Sequence, residues 1–276
     1  MGNEKRNIQE SEILKREKQL REWFTRDCDS IMRIVDGVDI GWGGTQRWGT
    51  ARMPPPGDGL HLDIACGYGT FLAQLGWRFP TLKLVGLNID FSGPHSIIQD
   101  LLDHADVRVA LSQADARMMP FANCVFDTAS CFLGLQDIQI GFGISGVKDT
   151  LAEVIRVLRH EGMLTLLENY PSPQYLELIN RLPVDIIKTG TYDPNIRWPR
   201  DVAERAIHLF ADGWVAQTRS KNLSDQRKTY TKVLSEMKTK MERQLADQGY
   251  YEPFEPVNLV IVQKTLRNVE EIKNVW

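Results

Sequence analysis

Apolar positions along the chain change their period near residue 60. Over 10–36, Leu20, Trp23, Phe24, Cys28, Ile31, Met32 and Val35 recur every three or four residues, which predicts a helix with one apolar stripe. Asp36-Gly37 ends it, and a loop rich in glycine and tryptophan runs on to Pro54, Pro55 and Pro56. From residue 60, short apolar runs alternate with helical spacing. The runs predict strands at 60–65, 83–88, 107–112, 125–132, 162–168, 214–219 and 257–264. The helical stretches fall at 70–78, 92–103, 147–159, 199–211 and 224–248.

Strand and helix alternate through the first five strands. That order implies crossover connections and an α/β fold, a mostly parallel seven-stranded sheet with helices on both faces. One long helical segment is expected between the last two strands. Its stripe is Tyr230, Val233, Leu234, Met237, Met241 and Leu245, which suits packing on the sheet or on a neighbouring helix. The expected division is an N-terminal helix and lid loop over 1–59, then a main domain over 60–276 with insertions near 170–200 and 222–250.

Composition narrows the class. The chain has 276 residues, 42% hydrophobic and 25% charged, which is ordinary globular usage. A formal net charge of −3 argues against a nucleic-acid partner, because phosphate binding calls for excess Lys and Arg. No apolar run reaches membrane-spanning length, and the polar start "MGNEKRNIQE" has no signal-peptide core. Cys28, Cys66, Cys124 and Cys131 show no C-x-x-C spacing, so the expectation is a reduced, cytoplasmic chain without a structural metal.

The chemistry centres on "HLDIACGYGTF" from His61. A strand-like run meets a helix-like run across Gly67 and Gly69, and such a turn lies at the ligand-binding edge of an open α/β sheet. The dinucleotide pattern G-x-G-x-x-G fails here, with Leu72 at its third position. Asp63 before the turn would repel a phosphate and suits either a cationic ligand or a role organising backbone N–H groups. "GFGISG" at 141–146 matches the dinucleotide pattern formally, but too far beyond the fourth strand, and is read as a flexible loop over the carboxyl edge.

"LDIACGYGTF" resembles the first motif of class I S-adenosylmethionine-dependent methyltransferases, with Ala65 at the first glycine position. Three further segments extend the resemblance over 60–168: "LVGLNIDFS", "QADARMMPFANCVFDTASCF" and "LAEVIRVLRHEGMLTLLE". It implies a Rossmann-like sheet and S-adenosylmethionine as cofactor, held by Asp63, Ala65, Gly67, Gly69, Asn88, Asp115, Ala116 and Phe132. Asn88 stands where the family carries an acidic ribose acceptor, and Asp90 is the alternative. Asp115 and Ala116 fall at the adenine position.

Methyl transfer from a sulfonium is an in-line displacement that depends mainly on alignment and exclusion of water. Acceptor-handling groups are therefore expected beyond the strand ends. After the fourth strand these are Gln136 and Asp137, and after the fifth Glu168, Asn169 and Tyr170. Asp137 and Tyr170 are the first choices for base or acceptor orientation. Trp42, Trp48 and Glu168 are the substrate-side candidates, and Tyr192 and Trp198 belong to a candidate lid. The expected activity is methylation of an O, N, S or C atom on a small molecule. A tRNA or protein methyltransferase, a non-catalytic cofactor-binding or partner-binding protein, and a nicotinamide oxidoreductase using 141–146 are the alternatives. The oligomeric state stays open.

Overall fold

The computed structural model describes residues 2–27, 44–168, 173–218 and 222–265. Its strands are β1 (Leu60–Ile64), β2 (Lys83–Asn88), β3 (Val109–Gln113), β4 (Phe126–Phe132), β5 (Leu158–Glu168), β6 (Val184–Tyr192) and β7 (Val257–Lys264). They form one sheet in the order β3-β2-β1-β4-β5-β7-β6. The first five strands run parallel, and β7 lies antiparallel between β5 and β6. Strand order reverses between β1 and β4, which opens the crevice outside their carboxyl ends.

Helices cover both faces, as the alternating pattern implies. On one face lie α1 (Gly2–Asp27), α3 (Thr70–Arg78) and α4 (Ile98–His104), which bury Ile13, Leu20, Phe71, Leu75, Leu101 and Leu102. The short helix α2 (Thr45–Thr50) sits on the same side, with Gly49 directly against the Leu167 side chain of β5. On the other face lie α5 (Gly134–Val157) and α6 (Pro173–Asn180), which bury Val147, Leu151, Val154, Ile155 and Ile179. A smaller core joins α7 (Arg200–Thr218) to α8 (Leu223–Gln248) through Ala206, Ile207, Met241, Trp198 and Tyr251. The long 224–248 helix is thus present and packs on a neighbouring helix. Asn222 caps it by accepting from the Ser224 N–H at 2.8 Å.

α1 is held by a polar stripe on α3. Thr70, Gln74 and Arg78 recur every four residues and share one helix face. Thr70 Oγ1 accepts from Gln46 Nε2 of α2 at 2.8 Å. Gln74 Nε2 donates to Glu17 of α1 at 3.1 Å, and Arg78 pairs with Glu10 at 2.6 Å. Glu17 also accepts from Arg47 Nε at 3.2 Å, so one buried carboxylate joins α1, α2 and α3.

Three expectations change. Of the run 214–219, expected as a strand, the described residues 214–218 close helix α7 instead, because Ala203, Ala206, Ile207, Phe210 and Ala211 continue a helical stripe into that run. The remaining strand is 184–192, an exposed edge whose residues carry little apolar alternation to detect. It precedes α7 and α8, so β6 and β7 are separated by two helices.

Residues 141–146 lie inside α5, not in a loop, with the helix bent at Gly143 (φ 69°, ψ −174°). The expected end of the N-terminal helix at Asp36-Gly37, like Trp42, lies outside the described residues.

Candidate active site

The turn after β1 has three left-handed residues at alternate positions: Ala65 (φ 53°), Gly67 (φ 53°) and Gly69 (φ 84°). Glycine adopts this conformation freely, whereas Ala65 costs about 1–2 kcal/mol. The turn is tied down by Cys66 N–H to Leu87 O at 3.0 Å and Gly69 N–H to Cys66 O at 2.9 Å. Gly69 then begins α3, whose first-turn N–H groups have no side-chain cap.

Asp63 lies two residues before the turn and is fully enclosed. Ser130 Oγ of β4 donates to its Oδ1 at 2.6 Å. Burial pushes the Asp63 carboxyl up to about 7, against the opposing pull of that hydrogen bond. Behind Asp63 the same strand face carries His61, whose Nδ1 is 2.8 Å from Thr128 Oγ1 and whose Nε2 is 2.8 Å from Ser130 Oγ. Desolvation lowers His61 to about 3, so the ring is neutral.

Asn88 ends β2 and is buried. Its Nδ2 donates to Asp90 O at 2.8 Å and lies 3.3 Å from His95 Nδ1. The Tyr68 ring of the turn meets His95 edge-on at 5.1 Å. Asp90 is turned to its own loop, accepting from Ser92 N–H at 2.8 Å and Ser92 Oγ at 2.7 Å. Just past β3, Asp115 takes a fork from Arg117, the closest contact being Nη2 to Oδ2 at 2.6 Å. The same guanidinium stacks 3.5 Å from the centre of the Phe142 ring on α5. Ala116 is buried beside them.

Phe132 closes β4 and stacks on Phe71 of α3 at 5.4 Å. Leu133 is left-handed (φ 58°) and starts α5. The first turn of that helix is capped from outside: Glu168 Oε1, at the end of β5, accepts from Leu135 N–H at 2.9 Å. Burial pushes Glu168 up to about 8, the Leu135 N–H pulling it down and nearby Asp137 raising it.

The parallel strands therefore bring Asp63, Ala65, Gly67, Gly69, Asn88, Asp115, Ala116, Phe132 and Glu168 to one sheet edge. Asp137 is exposed in the first turn of α5. Trp48 packs against Gly190 and meets the Tyr192 ring at a tilt, centroids 5.2 Å apart, beside the carboxyl end of β6, with Arg52 on its ring. Trp198 is buried in the α7–α8 core. Asn169 and Tyr170, like Trp42, lie outside the described residues.

Several polar partners escaped the sequence reading. Gln46 and Gln74 are each 1% exposed, and each leaves its Oε1 without a hydrogen-bond partner. His61, Thr128 and Ser130 carried a signal, since polar residues two apart in apolar strands share one face. His95 and Arg117 carried none, because their partners come from loop geometry.

The fold and this turn define an open α/β domain whose glycine turn lies at the carboxyl edge of the sheet. Residues 62–162 match the methyltransferase domain family model. The matched segment runs from β1 into β5 and contains the glycine turn. It is 29% identical to a demethylmenaquinone methyltransferase of Deinococcus radiodurans, over 52% of this chain and 56% of that protein. It is also 29% identical to the ubiquinone/menaquinone biosynthesis C-methyltransferase UbiE of Paracoccus denitrificans, over 63% of this chain and 70% of that protein. The chain thus spans little more than half the length of the Deinococcus relative.

Among solved structures, the cyclase SpnF shares the fold at TM-score 0.54 and 16% identity, covering 82% of both chains. A Haemonchus contortus phosphoethanolamine N-methyltransferase in complex with S-adenosyl-L-methionine does so at TM-score 0.52 and 15% identity, over 89% of this chain and 60% of that one. No helix among the described residues is long and apolar enough to cross a membrane.

Proposed function

We propose that the chain is an enzyme that transfers a methyl group from S-adenosylmethionine to a small molecule. The observation that carries the reading is the buried Asp63 carboxyl directly before a turn of three left-handed residues, inside a methyltransferase domain. When bound, the cofactor supplies an electrophilic methyl on a sulfonium. The donor set fits that group. Ionised Asp63 favours a cation, the uncapped N-terminus of α3 offers N–H groups to a carboxylate, and Gln46 Oε1 is a buried acceptor awaiting a donor. Asn88 would accept from a ribose hydroxyl, and Asp115 with Ala116 would face the adenine edge.

Positioning supplies most of the rate in such a displacement, up to about 7–11 kcal/mol for ideal geometry. Phe132, Phe71 and Trp48 would shape a dry wall near the reacting atoms, with Glu168 fixing the start of α5 over the site. Asp137 and Tyr170 remain the candidates for a base. The two relatives named for menaquinone or ubiquinone biosynthesis make a quinol-type ring carbon the first acceptor to try. A cytoplasmic setting fits the free Cys66, Cys124 and Cys131.

Calorimetry with S-adenosylhomocysteine and transfer of labelled methyl to quinol and metabolite pools test the reading together. Binding with transfer to a small molecule supports it. Transfer to tRNA or protein instead shifts the substrate class. Binding without transfer to any of these pools makes the chain a cofactor-binding protein.

A further inference from the structure

Four buried side chains form a chain of contacts through the sheet below the glycine turn. The β1–β4 register sets His61 beside Thr128 and Asp63 beside Ser130. Strand alternation then puts all four on one face. The contacts run Thr128 Oγ1 to His61 Nδ1 at 2.8 Å, His61 Nε2 to Ser130 Oγ at 2.8 Å, and Ser130 Oγ to Asp63 Oδ1 at 2.6 Å. None of the four is more than 4% exposed.

The chemistry of these groups allows two orders of hydrogen along the same heavy-atom path. An ionised Asp63 can only accept, so Ser130 donates to it. Ser130 then accepts from an Nε2–H on His61, and the bare Nδ1 accepts from Thr128. A protonated Asp63 reverses each contact. Asp63 donates to Ser130, Ser130 donates to a bare Nε2, and an Nδ1–H on His61 donates to Thr128, whose own hydrogen turns away. From the ionised to the protonated order, the Ser130 O–H proton passes to Asp63, the His61 Nε2–H proton passes to Ser130 Oγ, the Thr128 O–H proton passes to His61 Nδ1, and one proton from solvent re-forms the Thr128 O–H bond.

We infer that Thr128, His61 and Ser130 are positioning residues that form a reversible relay setting the charge of Asp63, and that a cationic cofactor over the turn selects the order with hydrogen on His61 Nε2. The inference rests on the proposed cofactor site. It differs from a static core network because every contact stays satisfied in both states.

The surroundings leave Asp63 as the group that changes charge. His61 on the same strand stays neutral, held down by burial. Cys66 in the turn and Cys131 on β4 have thiols that burial raises well above their usual range. Glu168, which acts on Cys131 from β5, is pushed up to about 8 and is uncharged at neutral pH. Asp63 itself, raised to about 7, is mostly protonated in the free protein near pH 6.

The test is imidazole nitrogen NMR on the full chain labelled with ¹⁵N, at pH 6, with and without S-adenosylmethionine. The chain has five histidines, and His61 is assigned by elimination through variants at the other four. The expected result is a protonated Nδ1 in the free protein and a protonated Nε2 in the complex. Calorimetry in buffers of different ionisation enthalpy should show close to one proton released on binding at pH 6 and none at pH 8.5. Ser130→Ala should break the path, so that the His61 ring no longer responds to S-adenosylmethionine. An unchanged His61 tautomer, or no proton release when the cofactor binds, overturns the relay. Absence of binding at any pH overturns the cofactor site instead. The wild-type measurements decide even if Ser130→Ala does not fold.

Discussion

Gln46 Nε2 donates to Thr70 Oγ1 at 2.8 Å, so the segment ahead of the first strand grips the first residue of the helix after the glycine turn. The amide oxygen of the same side chain is buried without a partner. Gln46→Leu should therefore leave stability within about 1 kcal/mol, because it removes the donor and the unsatisfied acceptor together. Affinity for S-adenosylhomocysteine should fall about 5–10-fold, the value of one lost hydrogen bond. Calorimetry beside a urea melt separates the two effects, and unchanged affinity would remove Gln46 from the site.

Glu17 should behave in the opposite way. It is nearly enclosed and accepts from both Arg47 and Gln74. Glu17→Leu leaves the buried Gln74 amide and the Arg47 guanidinium without that acceptor, at a cost of about 2–4 kcal/mol. A urea midpoint indistinguishable from wild type would show that α1 is not anchored through this carboxylate.

Gly67 and Gly69 share a left-handed backbone but not their surroundings. A Cβ on Gly69 would meet Ile98 Cγ1 at 2.9 Å, whereas one on Gly67 meets nothing nearer than Ala65 O at 4.0 Å. Gly67→Ala should cost about 1 kcal/mol of stability from the backbone alone. Gly69→Ala should cost about 2–4 kcal/mol, since overpacking is added. For cofactor affinity the order should invert, because the open space beside Gly67 is where the proposed cofactor would approach. Thermal melts and calorimetry on the two variants give both rankings.

Glu168 makes stability fall as pH rises. Its folded pKa, about 8, lies above the ordinary glutamate value of 4.5, so the folded chain holds a proton that the unfolded chain releases. The contribution is complete below about 4.5 and is lost progressively up to about 8. Asp63, raised from 3.8 to about 7, adds a loss of the same sign between those values. Glu168→Gln keeps an acceptor for Leu135 N–H without the charge. It should flatten the decline and gain on the order of 3 kcal/mol at pH 8. Chemical melts between pH 5 and 8.5 measure this, and parallel profiles for variant and wild type would refute it.

Much of the architecture was legible because it follows from short-range pattern. The alternation of strand and helix over 60–168 dictated a parallel sheet, and the spacing of Gly67 and Gly69 after Asp63 marked the turn at its carboxyl edge. β6 was hidden for a physical reason. An edge strand exposed on both faces buries too little to need an apolar alternation. The start of α5 was hidden as well, because Glu168, thirty-three residues away, supplies its cap.

The local chain, taken alone, determines where the backbone turns and which faces are apolar, since glycine freedom and side-chain period act within a few residues. It also places Asp63, Asn88 and Asp115 at strand ends, one per crossover. What surrounds these groups depends on register and packing between segments far apart in the chain. His61 meets Ser130, and Gln46 meets Thr70, only once β1 lies on β4 and α2 on α3. Those contacts exclude water, and exclusion of water is what moves Asp63 and Glu168 toward neutral pH.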